Sequence, residues 1–153
     1  MLRASRGTNQ YAIEHDFYVR VLRQLTPSQA RILVLMSDGA GWPMLHVDAS
    51  GLMGHSHQRI LSYASNVGKE VGVLLREQVP HFLAHMYSLG LLTVGPEDHN
   101  QEPAYEILEA DAIVRSAVVH IEKERGQYVR LERYVIRLSE FGVALCKAAL
   151  EQA

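Results

Sequence analysis

At 153 residues, with 48% hydrophobic and 21% charged residues, the chain is long enough to bury one sizeable core and too apolar to be mainly disordered. One cysteine, Cys146, excludes an internal disulfide framework and a multi-cysteine zinc site, and no apolar run approaches the roughly 18 residues of a membrane span. A net charge of −2 speaks against a generally basic nucleic-acid binder, and the N-terminus has no secretory h-region, so the cytoplasm is the expected compartment.

The charge is unevenly spread. Arg3, Arg6, Arg20, Arg23 and Arg31 outweigh Glu14 and Asp16 near the N-terminus, and residues 95–112 carry acids without a single Lys or Arg. Residues 113–137 return to a basic balance.

In chain order, residues 1–12 read as a flexible leader with a Gly7-Thr8-Asn9 turn signal, and residues 13–150 as one domain. Ile13, Phe17, Val21 and Leu25, four apart, predict a first helix. Thr26-Pro27-Ser28-Gln29 then predicts a helix start: Thr26 as cap, Pro27 at the first position, Gln29 closing a capping box. That helix ends at Asp38-Gly39, and Met44–Val47 reads as a short strand. Residues 48–66, with Gly51, Gly54, His55 and His57, predict an irregular loop with a strand or helical turn at Ile60–Tyr63. A short helix follows over Asn66–Val71.

Val79, Phe82, Leu83, Met86 and Leu89 mark one face of a further helix, which Gly90 ends before a Leu91–Val94 strand. Gly95-Pro96 opens a loop, and Ala104–Glu124 reads as one long helix that Gly126 breaks. Tyr128–Leu138 is rich in β-branched and aromatic residues and predicts a strand antiparallel to Leu91–Val94, before a final helix through Phe141, Leu145 and Leu150. The expected core is Phe17, Val21, Leu33, Phe82, Met86, Leu89, Leu91, Ile136, Phe141 and Leu145. The expected fold is mainly α with a small antiparallel sheet: a winged helix-turn-helix with flanking helices and an enlarged, helix-containing wing.

No constellation of residues predicts catalysis. His81 and His85 have the spacing that lets two imidazoles share a metal, but Phe82-Leu83-Ala84 between them lacks the zinc-protease glutamate, and no third ligand is placed. His55-Ser56-His57 near Asp48 has neither nucleophile nor orienting group, and Cys146 reads as a buried structural thiol. No metal, cofactor or enzymatic activity is expected. The candidate contact residues are Arg76, His81, His85 and Ser88 on the helix before Gly90, with Arg130, Arg133 and Arg137 on the return strand. On the helix face two neutral histidines offer little to phosphate, so a protein partner is expected ahead of DNA, and any DNA contact is expected to run through the strand arginines. The apolar faces of the terminal helices predict self-association as a homodimer.

Three blocks of sequence resemble a known family. His15-Asp16-Phe17 leading to Leu25-Thr26-Pro27-Ser28-Gln29-Ala30, then Leu89-Gly90-Leu91, then Leu138-Ser139-Glu140-Phe141-Gly142 resemble the signature of the abortive infection alpha family. Asp16 stands where that family commonly has proline, and His85 where it has asparagine. The resemblance runs from about His15 to Ala148 and implies a bacterial protein acting in phage defence, with no catalytic residue carried over. A DNA-binding regulator of the winged helix-turn-helix class is the alternative.

Overall fold

The computed structural model describes residues 3–54 and 56–151. Helix α1 (Arg3–Leu22) is followed by α2 (Pro27–Leu35), strand β1 (Trp42–Ser50), β2 (His57–Ser65), α3 (Val67–Glu70), α4 (Val79–Ser88) and β3 (Leu92–Pro96). Helices α5 (Glu102–Glu109) and α6 (Ala112–Val119), a π-helical turn at His120–Glu124, strand β4 (Tyr128–Leu138) and α7 (Glu140–Glu151) complete the order. The strands form an antiparallel sheet in the order β2-β1-β4-β3. The fold is mixed α/β.

Local signals set several boundaries. Gln29 donates its backbone N–H to the Thr26 hydroxyl at 3.2 Å, and its side-chain oxygen accepts from the Thr26 N–H at 2.9 Å, closing the expected capping box. Gly90 adopts φ 76°, Leu91 N–H reaches Met86 C=O at 3.0 Å, and Gly90 N–H reaches Tyr87 C=O at 2.9 Å. This paired closure satisfies the last carbonyls of α4 and turns the chain into β3. β4 has the predicted span, and β3 pairs with it from Leu92↔Leu138 to Pro96↔Tyr134, as expected.

The sheet is covered on both faces, because successive side chains of a strand point to opposite sides. Met44, Ile136 and Leu138 join α2, α4 and α7 residues such as Ile32, Leu83 and Leu145 in one core. Leu45, Val47 and Ala49 join Leu108, Val114 and Val118 of α5 and α6 in the other.

Four expectations need correction. α1 begins at Arg3, so the expected leader is helical from that residue; Met1 and Leu2 lie outside the described residues. The stretch read as a loop holds a full strand, β2, paired along β1; only the connection before it is irregular, turning at Gly54 with φ 68°. His55 lies outside the described residues. The single helix expected over Ala104–Glu124 is two, because Asp111 caps a new one, its carboxylate accepting from Ile113 N–H at 3.1 Å. Phe17, expected in the core, is 53% exposed, while Phe82, Leu89 and Phe141 are half-buried beside it rather than within it.

Candidate functional site

The blocks that carry the family resemblance converge in space. Ser139 donates its N–H to Leu91 C=O at 2.9 Å and its hydroxyl to Gly90 C=O, and the same hydroxyl accepts from Gly142 N–H at 3.0 Å. Phe141 packs on Phe17 at 5.5 Å and on Tyr18 at 6.0 Å between ring centroids. Gln29, almost wholly buried, donates from Nε2 to Phe82 C=O at 3.1 Å and shares a 2.9 Å contact with His85 Nδ1. The signature therefore marks a junction of α1, α2, α4, β3 and α7, built from backbone hydrogen bonds and aromatic packing.

This junction removes His85 from the exposed helix face on which the sequence places it: its ring is half-buried against α2. His81 is exposed in the first turn of α4, Ser88 is exposed and donates to His85 C=O at 2.6 Å, and Arg76 is exposed in the 3-10 turn Arg76–Gln78. α4 also lies against β2, with Tyr87 and Tyr63 rings 5.9 Å apart. Among the described residues no group of three His, Cys, Asp or Glu side chains is arranged to hold a metal.

The three strand arginines do not form one surface, because their numbers differ in parity. Arg130 shares a face with Glu132, Tyr134 and Ile136, whereas Arg133 and Arg137 share the opposite face with Val129 and Leu131. Arg133 is held by Glu109 at 2.8 Å and Glu102 at 2.7 Å, with Glu97 at 3.7 Å, and sits over the Tyr105 ring at 5.1 Å. These carboxylates, Glu109 first, raise its pKa further and leave no spare charge for phosphate. Arg137 is exposed beside Gly41.

The structure instead assembles a polar layer that sequence reasoning missed. Asp48, nearly buried, lies between Arg59 on β2 and Arg130 on β4 in register. Arg59 Nε donates to Asp48 at 3.0 Å and its Nη2 reaches Glu132 at 3.4 Å. Arg130 Nε lies 3.2 Å from the other Glu132 oxygen, and the Tyr134 hydroxyl donates to Glu132 at 2.7 Å. His46 is buried between the Tyr63 and Tyr134 rings, at 5.1 and 5.3 Å. Tyr63, at a bulge in β2, holds a left-handed φ of 57°, uncommon for a non-glycine residue, and turns its N–H onto His46 Nδ1 at 3.0 Å. The signal in the sequence was the alternation His46, Asp48, Ser50 along a strand.

A backbone N–H can only donate, so His46 Nδ1 accepts and the imidazole is neutral with its proton on Nε2. Burial, then the charge of Arg59, pushes the His46 pKa below the usual imidazole range, against smaller opposing pulls from Asp48 and Glu132. The unfolded chain therefore takes up this proton at a higher pH than the folded one. The stabilisation is complete above an unfolded pKa of about 6.5 and is lost as pH falls from there through the lower folded value. Urea unfolding between pH 7.5 and 5 should show stability falling, with a shallower fall in His46→Gln; equal slopes would show that His46 does not contribute. The pH limits are about those of the imidazole window.

A separate cleft of about 400 Å³ lies between the start of β1, α3 and α5, lined by Trp42, Asn66, Lys69 and Gln101 among others. Its lysine is already paired with Asp111 at 2.9 Å. Cys146 is buried and reduced. No helix among the described residues is long and apolar enough to cross a membrane.

The domain is mixed α/β with two cores, and its signature residues meet at one corner. The chain belongs to the abortive infection alpha family, whose model matches residues 1–149. It shares its fold with a solved structure of an uncharacterized protein from the hydrocarbon-degrading marine bacterium Alcanivorax borkumensis SK2, at TM-score 0.66 and 24% identity, over 90% of this chain and 95% of that one. No curated protein matches the chain.

Proposed function

We propose that this chain is a non-enzymatic, winged-helix-like interaction module of bacterial phage defence that works through a protein partner or a second copy of itself. Its family membership supports the defence role. The strand order β1-β4-β3, with α4 turning into β3 at Gly90, supports the winged-helix reading; β2 extends the sheet at one edge, and α5 and α6 occupy the wing. The carrying observation is the apolar surface of the terminal helices: Ile13 is 68% exposed, Phe17 53% and Leu150 57%. Residues 12–17 of α1 are exposed, with Phe17 resting on Phe141 at one edge, so a partner that covers the apolar surface of Ile13 and Phe17 adds stability.

Light scattering at micromolar concentration should give a mass above the 17.2 kDa of one chain, and Ile13→Glu with Leu150→Glu should return it to that value. The same double variant should lose protection in a plaque assay on bacteria expressing the chain. A monomeric mass together with full protection by the variant would overturn the proposal.

Duplex DNA is the less supported partner. Arg133 is neutralised by carboxylates, and α4 offers the groove no strong cation while β2 lies beside it.

A further inference from the structure

We infer that the outer edge of β2, with the groove between it and α6, receives an extended acidic segment of a partner protein, which joins the sheet as an added strand. This rests on the reading of the chain as a module that acts through a protein partner, and it gives that partner a chemistry. β2 is nine residues long and pairs only with β1; among the described residues no backbone bond reaches its outer edge. Unpaired strand N–H and C=O groups are a template for another strand, and folded proteins commonly blunt them with proline, lysine or a covering element. β3, at the other edge of the sheet, is five residues long and ends in Gly95-Pro96, so it is blunted in this way. β2 contains neither proline nor lysine, and His57, Gln58 and Arg59 are exposed.

Beside that edge lies an open groove of about 740 Å³ whose opposite wall is α6 and the π-helical turn. Two contacts set its direction. Arg125, just past the turn, donates to the Gln58 side chain near the start of β2, whereas Asp111, the cap of α6, pairs with Lys69 just beyond the end of β2. α6 therefore runs antiparallel to β2. The β1-β2 register slips at Ile60, the extra residue between Asp48↔Arg59 and Val47↔Leu61, and both Ile60 and Leu61 pack on the core that α6 covers. They form the strand side of the groove, and Ile113, Ala117 and Val119, the last 40% exposed, form its apolar helical side.

The charge favours an acidic segment. Arg115 lines the groove, and among the described residues neither it nor Arg125 has a carboxylate partner; the bonds of Arg125 go to the neutral side chains of Gln127 and Gln58. Glu124, the acid on the helical wall, is already engaged by His120. Arg115 and Arg125 lie about 15 Å apart along the helical axis, the span of roughly four residues of an extended strand. A strand meets both walls at once, pairing its main chain with β2 while alternate side chains enter the groove, whereas the main chain of a helix is already bonded within itself.

The test is selection from a random display library of peptides of about ten residues against the full chain, with Ser116→Trp, which fills the groove from an exposed position, as counter-selection. Enriched peptides should alternate β-branched or aromatic residues with polar ones and carry acids about four residues apart. The strongest of them, synthesised with a fluorophore, should lose at least about tenfold in affinity for Ser116→Trp and for Arg115→Glu with Arg125→Glu. Methylating every second backbone nitrogen of the peptide should cause a similar loss in one phase, where the N–H groups face β2, and little in the other. The substituted positions are exposed, an unchanged thermal melt confirms that the variants fold, and the methylated peptides need no protein variant at all. Binding is read apart from mass and phage protection, so its failure leaves the module reading to those two measurements. No enrichment over the Ser116→Trp protein, unchanged affinity in the charge-reversed variant, or equal sensitivity to both phases of methylation would each overturn the inference.

Discussion

Gly142→Ala is expected to destabilise the protein by about 2–3 kcal/mol, although alanine is the better helix former. A Cβ at Gly142 would overlap the Leu91 carbonyl oxygen and press on Leu138 Cβ at 3.4 Å. That carbonyl cannot move aside, because it accepts the Ser139 N–H at 2.9 Å and belongs to the turn that Gly90 closes. α7 must shift instead, straining its contact with β3 and the packing of Phe141 on Phe17 and Tyr18. Gly95→Ala is the internal control: nothing lies within 4 Å of its added carbon, so its midpoint should barely change. Urea unfolding of both variants decides the matter, and a Gly142→Ala protein as stable as its parent would disprove this packing account.

The second large effect is expected at Gln29. Its amide joins the Thr26 N–H, the Phe82 carbonyl and the His85 ring, and the residue is only 1% exposed. Gln29→Ala should cost about 2–4 kcal/mol, since it opens a cavity and strands buried polar groups. For a domain of this size the melting temperature should fall by roughly 4–16 °C. Gln29→Leu separates the two causes, because it fills the space without supplying hydrogen bonds. Were Gln29→Leu neutral, volume rather than hydrogen bonding would be what the site requires.

Both positions fall in the blocks by which the family could be recognised in the sequence. Gly142 makes way for a carbonyl, and Gln29 fastens α2 to α4. The signature is thus a set of packing requirements at one corner of the fold. The polar layer around Asp48 lies elsewhere, on the sheet.

The candidate site was legible only in part. The sequence offers Arg130 by its charge together with Arg133 and Arg137, yet the two-residue period of a strand sends those two to the other face. Asp48 is legible only as a neighbour of His55-Ser56-His57, and its link to Arg59 and His46 is hidden because the segment holding Arg59 reads as a loop. Its glycines and histidines masked a strand that forms only by pairing with β1.

The sequence by itself determined what local chemistry controls. Thr26, Pro27 and Gln29 start α2 because the orphan N–H groups of a helix need nearby acceptors, and Gly90 ends α4 because a left-handed residue must follow it. The span of β4 followed from its β-branched and aromatic content, and its pairing with β3 from the helices that end just before Leu91 and begin just after Leu138. Tertiary structure decided the rest. Which carboxylates surround Arg133, and whether His85 meets water or Gln29, depend on groups 24 to 56 positions away. Such contacts form only when the sheet and its two helical layers assemble, so no window along the chain contains both partners.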